Sequence, residues 1–340
     1  MALDFGYLIN QQANPDRTIT TAIQEAREEV LVAEAHGYAG VYVSEHHQRS
    51  DDYVPSPFPL AAYLAGATST VRIGVAIALV PLYHPLRLME DAATVDIVSQ
   101  GRSILGLGLG YIDRDFQVYG MDRRQAAEMY RDVLPVISRG WDSPIDLRTE
   151  GYAAHVERFS PQGPQQPRPP IWIAANTKLG VRLAAEYGDC WIAGARIALE
   201  RAADLSAIYH RACEALGKTP RVAVIRDAWV ADSDSDAWSE AGPHLLRSLR
   251  ARVDGGLIPP PEQSLDPATW ADPGASFRDL SRGRWLVGHP EAVRDEITEW
   301  IARVRADEMV VRFKQPSGPS TDQVKKQIVR WNREVAARFA

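Results

Sequence analysis

Two kinds of apolar pattern alternate along the chain. Short, nearly continuous apolar runs are typical of buried strands, and segments with apolar residues three and four positions apart predict amphipathic helices. We identify eight apolar runs, and a helical segment follows each of them. The predicted strands are residues 3–10, 39–44, 71–80, 103–110, 171–176, 189–194, 221–230 and 308–314.

This repeated alternation determines the predicted fold class. Eight strand–helix units predict an α/β protein with a single (β/α)8 barrel, the TIM-barrel fold, with insertions. An open, doubly wound sheet is the alternative, but it normally has fewer strands and a glycine fingerprint after the first strand. The run GLGLG at 106–110 lies inside the fourth predicted strand, so it does not have the context of a dinucleotide-binding loop. We therefore predict one barrel domain over residues 1–340.

Two segments do not fit the regular alternation. The connector at 143–169 is rich in proline, glutamine and arginine, and it is either an insertion in the barrel or a domain boundary. The stretch 255–285 is rich in proline, glycine and serine, which disfavours regular structure. Because this stretch follows the seventh predicted strand, we interpret it as a lid whose apolar residues could contact a substrate. Those residues are Leu257, Ile258, Trp270 and Phe277.

Composition excludes several classes of partner. The formal net charge is −6 and no basic stripe is present, which argues against nucleic acid as a partner. Two cysteines do not form a disulfide framework. No apolar run approaches the ~18 residues of a membrane span, and no secretory signal pattern is found. We expect a cytoplasmic protein that does not associate with membranes.

An acid and two adjacent histidines directly follow the second predicted strand. They are Glu45, His46 and His47. Neighbouring strand residues point to opposite faces, so at most one histidine of the pair can face a given cavity. Active sites of (β/α)8 barrels lie at the carboxyl ends of the strands. This position favours a functional histidine over two solvated imidazoles in a loop. A metal site is not predicted, because no further histidine or cysteine follows another strand.

A second candidate site follows the fifth predicted strand. Small residues lead into Asn176, Thr177 and Lys178, where a helix begins. The first N–H groups of a helix and its dipole attract anions, so this turn could bind a phosphate group. Asn and Thr are also ordinary N-cap residues, and that alternative remains open.

Four segments of the chain resemble the bacterial luciferase-like superfamily of flavin-dependent (β/α)8 enzymes. They are residues 41–47, 71–120, 169–191 and 286–297. The resemblance extends over essentially the whole chain, and the segment 71–120 is long enough to be specific by itself. This resemblance implies a (β/α)8 fold and a flavin-dependent activity.

The resemblance implies roles for residues near a flavin ring. His46 matches the histidine that acts as general acid/base beside the flavin, and His47 matches its required neighbour. Ala76 and Ile77 match a non-proline cis peptide that supports the isoalloxazine ring. Asp115 matches a carboxylate near the flavin, with a solvated loop charge as the alternative. Glu45 would either orient a partner residue inside the barrel or have a purely structural role in the core.

The resemblance also implies a phosphate-binding turn. Asn176, Thr177 and Gly180 match this turn, and Lys178 lies within it. One departure concerns Gly108 and Leu109, where luciferase has a cysteine and a phosphate-binding arginine. Without that arginine, the phosphate of FMN must depend on the 174–180 turn, or the cofactor is a different one.

The implied activity is that of a two-component flavin monooxygenase. Reduced FMN, supplied by a separate reductase, would react with O2 to give a C4a-(hydro)peroxyflavin that oxygenates an organic small molecule. One alternative is an F420-dependent hydride-transfer oxidoreductase, although such relatives commonly have an Asp-His pair where this chain has Glu45, His46 and His47. Another is a non-catalytic flavin-binding partner subunit, which the two retained histidines disfavour. We also expect a homodimer. The sequence does not identify the substrate.

Overall fold

The computed structural model describes residues 2–13, 17–142, 144–149, 151–195, 197–254 and 283–340. Five strands are buried along their whole length, because mostly apolar side chains occupy both of their faces. The strands are β1 (Asp4–Leu8), β2 (Gly40–Val43), β3 (Arg72–Leu79), β4 (Ser103–Gly108), β5 (Ile145–Arg148), β6 (Ala153–Val156), β7 (Ile171–Ala174), β8 (Cys190–Ala193), β9 (Val222–Val230), β10 (Trp285–Gly288) and β11 (Glu308–Arg312).

Local sequence signals mark the first residues of several helices. Pro85 is the first residue of one helix, and Ser320 with Gln323 forms the capping box of another. No helix in the described ranges combines the length and apolarity needed to cross a membrane. The helices are α1 (Ile19–Ala35), α2 (Pro57–Ala67), α3 (Pro85–Val98), α4 (Asp113–Gln117), α5 (Arg123–Ile137), α6 (Lys178–Tyr187), α7 (Leu199–Ala215), α8 (Asp234–Asp254), α9 (Pro290–Val304) and α10 (Thr321–Glu334).

The chain divides into two compact units. The first comprises Met1–Ala39, Ala193–Ile208 and Arg221–Ala340, and the second comprises Gly40–Ile192 and Tyr209–Pro220. In the second unit, β2, β3, β4 and β7 pair in parallel in that order, and β7 pairs with β8. In the first unit, β9 pairs in parallel with β10 and β11, and β11 pairs with β1. The predicted (β/α)8 barrel class is confirmed, and the prediction of a single domain stays a prediction.

The predicted strand count needs one correction. The described residues contain nine parallel strands, the eight predicted ones and Trp285–Gly288, which forms β10 and begins at the last residue of the segment predicted to be irregular. The long strand β9 pairs with β11 and with β10 along successive stretches. Residues 223–227 pair with β11, and residues 227–230 pair with β10. The extra strand was missed because its four residues directly follow a proline-rich and glycine-rich stretch.

The structure describes most of the first irregular segment and little of the second. The connector contains the antiparallel hairpin β5–β6, and its described residues belong to the second unit. Its interpretation as an insertion in a single barrel domain stays a prediction. The predicted lid at 255–285 lies outside the described residues up to position 282. The same holds for Leu257, Ile258, Trp270 and Phe277, and the lid stays a prediction.

Candidate active site

The second unit brings the predicted site residues to one edge of its sheet. Strands β2, β3, β4 and β7 are parallel neighbours, so their carboxyl ends meet at the same edge. Glu45, His46 and His47 follow β2, and Asp115 lies in α4 after β4. The turn that contains Asn176 follows β7. This is the edge where active sites of such barrels are built.

His46 pairs with a carboxylate that lies 69 positions further along the chain. Its Nδ1 lies 3.3 Å from Asp115 Oδ2. The rings of Tyr53 and Tyr111 contact the imidazole edge-on, with centroids 5.2 and 6.1 Å away. Asp115 is only 2% exposed, so the alternative of a solvated loop charge is wrong. A carboxylate on Nδ1 favours the tautomer that carries its proton there.

His47 has different partners from its neighbour. Its Nε2 lies 2.6 Å from Glu45 Oε1, and its Nδ1 lies 3.0 Å from the hydroxyl of Tyr119. Its backbone N–H donates to Asp115 Oδ1 at 3.1 Å. At 8% exposure His47 is not a solvated imidazole. Asp115 therefore holds the His46 side chain with one oxygen and the His47 backbone with the other.

Glu45 connects the histidine segment to the end of β3. Its Oε2 accepts the backbone N–H of Leu79 at 2.7 Å while Oε1 faces His47. Both roles considered from the sequence are present, because the carboxylate is buried and also orients a partner. Burial raises the pKa of the Tyr83 hydroxyl well above its usual value, and the nearby charge of Glu45 raises it further. Tyr83 therefore stays a neutral phenol.

The end of β3 has an irregular backbone. The Ala76–Ile77 peptide is cis, as the resemblance implied, and the register between β3 and β4 shifts between Val75 and Ala78. Two glycines of β4 give the bulge its space. A Cβ atom at Gly106 would overlap the carbonyl oxygen of Val75, and one at Gly108 would overlap the terminal methyl of Ile77. Gly108, the departure noted in the sequence, therefore has a packing reason.

The turn before α6 has the donors that an anion needs. Thr177 is the N-cap residue, and its hydroxyl oxygen accepts the backbone N–H of Gly180 at 3.0 Å. Its hydroxyl proton remains available to donate to a ligand. The N–H groups of Lys178 and Leu179 precede the first intrahelical bond, and the first turn carries no acidic side chain. Gly180 packs closely on Ala175, so its lack of a side chain brings the helix near the strand end.

Tyr119 in the second unit and one charged cluster in the first unit were not predicted from the sequence. Tyr119 was not singled out because its bond to His47 spans 72 positions. In the first unit, Asp227 of β9 forms a 2.6 Å ion pair with Arg312 of β11 and accepts a hydrogen bond from Gln315. A charged residue inside an otherwise apolar strand was the available signal for Asp227 and Arg312. In the described residues, no cluster of three or more potential metal ligands is found.

Comparison with known proteins identifies the family. The model of the luciferase-like monooxygenase family matches residues 3–308, and the chain belongs to that family. The prediction of an oxidoreductase enzyme is confirmed at this level. A flavin-dependent trigonelline monooxygenase, oxygenase component, of Acinetobacter baylyi is 29% identical over 232 residues, which cover 67% of this chain and 64% of that protein.

Solved structures share the fold over the whole chain. The monooxygenase RslO1 from Streptomyces bottropensis superposes with a TM-score of 0.87 at 20% sequence identity. The alignment covers 99% of this chain and 100% of the RslO1 chain. The oxygenating constituent of 3,6-diketocamphane monooxygenase from Pseudomonas putida, in complex with FMN, has a TM-score of 0.81 at 20% identity, with 99% of each chain covered. The F420-dependent tetrahydromethanopterin reductase of Methanopyrus kandleri has a TM-score of 0.77 at 18% identity and covers both chains completely.

Proposed function

We propose that this protein is the oxygenating component of a two-component flavin monooxygenase. It would take reduced FMN from a separate reductase and use O2 to oxygenate an organic small molecule. Membership of the luciferase-like monooxygenase family supports the reaction class. The name of the Acinetobacter relative, an oxygenase component, supports the separate reductase. The observation that carries the proposal is the buried Asp115 carboxylate on the Nδ1 of His46.

The Asp115–His46 pair is the proposed general acid/base. Asp115 accepts the Nδ1 proton and thereby fixes the orientation of the ring and its tautomer. Nε2 can then take up a proton and return it, because an imidazole titrates near neutral pH. The rings of Tyr53 and Tyr111 flank the imidazole edge-on and would restrict its rotation. His47 would support this pair through its backbone N–H to Asp115.

The chain also offers groups that fit FMN. We assign the phosphate to the α6 N-terminus, with Asn176, Thr177 and Lys178 as donors and Gly180 as the close-packing residue. Ala76 and Ile77 would support the ring beside Asp115. The helix dipole and Lys178 would balance the phosphate charge. In luciferase an arginine, at the place where this chain has Leu109, balances it. When bound, reduced FMN supplies the electrons that activate O2.

A binding titration tests the cofactor assignment. The purified protein is titrated under anaerobic conditions with reduced FMN and with reduced F420, and O2 is then admitted. We expect tighter binding of reduced FMN and consumption of O2. Binding of reduced F420 alone contradicts the proposal and indicates hydride transfer. Binding of reduced FMN without any reaction with O2 indicates a non-catalytic flavin-binding subunit.

The proposed assembly is a homodimer. Sedimentation velocity of the purified protein, with and without FMN, measures its mass in solution. A species of twice the chain mass of 37.6 kDa is expected, and a monomer under both conditions contradicts the homodimer.

A further inference from the structure

Three side chains form a continuous hydrogen-bonded chain from the surface of the second unit to its interior. Tyr119 is 55% exposed, His47 is 8% exposed and Glu45 is 2% exposed. The Tyr119 hydroxyl lies 3.0 Å from His47 Nδ1, and His47 Nε2 lies 2.6 Å from Glu45 Oε1. Exposure therefore falls step by step along the same path that the hydrogen bonds follow.

The direction of each hydrogen bond follows from the groups involved. A carboxylate oxygen accepts, so His47 donates its Nε2 proton to Glu45. In the neutral form of the ring, the Nδ1 atom carries a lone pair and accepts the Tyr119 O–H. Burial raises the pKa of the Tyr119 hydroxyl, and the charges of Glu45 and Asp115 raise it further. Tyr119 therefore holds its proton and serves as the donor.

This chain is separate from the Asp115–His46 pair. His47 meets Asp115 only through its backbone N–H, and an amide N–H does not exchange its proton rapidly with a carboxylate. The path through the His47 side chain leads instead to Glu45, whose second oxygen accepts the N–H of Leu79 at the end of β3. The inner end of the path thus lies beside the Ala76–Ile77 bulge, where the proposed function assigns the flavin ring.

We propose that Tyr119, His47 and Glu45 form a proton relay between solvent and the interior of the site. In one step, Tyr119 transfers its proton to His47 Nδ1 and His47 transfers its Nε2 proton to Glu45. Tyr119 then recovers a proton from water, so that one proton moves from solvent to Glu45. Only O–H and N–H bonds form and break. The reverse sequence exports a proton.

The relay rests on the proposed function, because that reaction consumes a proton. When reduced flavin enters as its anion, the balance is FMNH⁻ + O2 + S + H⁺ → FMN + SO + H2O, where S is the substrate. A site that excludes water must still receive that proton. The relay would bring that proton to Glu45, separately from the Asp115–His46 pair, and Tyr119 is its exposed member.

The relay can be tested without any cofactor. Nuclear magnetic resonance of the cofactor-free protein measures the tautomer of His47 and the rate at which its Nε2 proton exchanges with water. We expect the Nε2–H tautomer in the wild type. Tyr119→Phe keeps the edge-on ring contact with His47, at 5.1 Å between centroids, and removes only the hydroxyl. It should slow the exchange about 10-fold, while the control Tyr63→Phe, on the exposed face of α2, leaves the rate unchanged.

A second measurement uses turnover and rescue. In the flavin-loaded enzyme, Tyr119→Phe should lower the rate roughly 10-fold, less than the 10²–10⁴ expected for a direct general acid/base. A small proton carrier such as imidazole should restore the lost rate in this variant and leave the wild type unaffected. A side chain that only packs would not be rescued in this way.

The outcomes separate the two proposals. Unchanged proton exchange in Tyr119→Phe overturns the relay, and so does a loss of turnover that imidazole does not restore. If the wild type neither binds reduced FMN nor consumes O2, the proposed function fails, and the exchange rate in the cofactor-free protein alone decides the relay. If Tyr119→Phe still slows the exchange of the His47 Nε2 proton in that case, the result supports the relay in a protein that catalyses a different reaction.

Discussion

Two of the buried glutamates, one in each unit, have different partners. In the first unit, Glu29 of α1 accepts a hydrogen bond from the Lys314 ammonium at 2.6 Å and another from the Tyr7 hydroxyl at 2.7 Å. In the second unit, Glu45 accepts from an imidazole and a backbone N–H, and the Tyr83 hydroxyl lies beside it. Lys314 also contacts Glu25 and Thr321. The first arrangement pairs a carboxylate with an ammonium group, whereas the second pairs a carboxylate with an imidazole.

The comparison separates two uses of the same side chain. Burying an ion pair is costly, and it is stable only when the remaining donors and acceptors are also satisfied. The cluster around Glu29, formed by Tyr7, Glu25, Lys314 and Thr321, meets that condition and links α1 to the end of β11 and to α10. The cluster around Glu45 instead places imidazoles beside carboxylates, which is a feature of proton-transfer sites. We therefore expect mutations in the first cluster to reduce stability and mutations in the second to reduce turnover.

The largest expected effect comes from breaking the first cluster. Lys314→Met removes the cation and leaves Glu29 buried without it, so the free energy of unfolding should fall by about 3–5 kcal/mol. Urea denaturation measures this change. The control is Lys325→Met, which breaks an exposed pair with Glu28 and should cost less than about 1 kcal/mol. Equal losses in both variants would show that the buried cluster is not a special stabilising element.

Breaking the second cluster should affect turnover instead. His46→Ala should leave the fold and flavin affinity nearly intact and slow turnover by roughly 10²–10⁴-fold, the usual range for a general acid/base. The control is His155→Ala on the exposed β5–β6 hairpin, where the imidazole pairs with Asp146. Steady-state rates that do not change between about pH 5 and 9 in the wild type would remove His46 from the mechanism.

Two helix caps sharpen the contrast between the units. Thr177 caps α6 in the second unit and Ser320 caps α10 in the first. Thr177→Val and Ser320→Ala should each cost about 1 kcal/mol of stability. Only Thr177→Val should also weaken FMN binding, by about 10-fold, because its hydroxyl would contact the phosphate. Riboflavin lacks the phosphate and serves as the internal control. An equal loss for both ligands would leave Thr177 as a cap alone.

The last expected effect concerns alkaline pH. Burial raises the pKa of Tyr7 well above its usual value, and the charge of Glu29 raises it further. Above pH 10 the unfolded chain releases this proton while the folded protein retains it, so stability is present below pH 10 and is lost as pH rises towards the folded pKa. Tyr7→Phe should remove a slope of about 1.4 kcal/mol per pH unit from the unfolding free energy above pH 10. Identical slopes in both proteins contradict the buried hydrogen bond.

The sequence predicted the elements of the fold better than the contacts of the site. Continuous apolar runs located eight of the nine parallel strands, because burial on both faces leaves a strong local pattern. His46 and His47 were found from their position after β2. The pairing of His46 with Asp115 and of His47 with Tyr119 joins residues about seventy positions apart, and local patterns contain no such information. Glu29 lies on the buried face of α1, where only the tertiary structure supplies Lys314.

The two glycines beside the β3 bulge set different limits for protein engineering. At position 106 the obstacle is a backbone carbonyl, which no choice of neighbouring side chain can move away, so a library there would return only glycine. At position 108 the obstacle is the last methyl group of Ile77. A shorter residue at 77 would make room for a larger one at 108, and neither change is informative by itself. Attempts to reshape this wall should therefore vary positions 77 and 108 as a pair and leave 106 fixed.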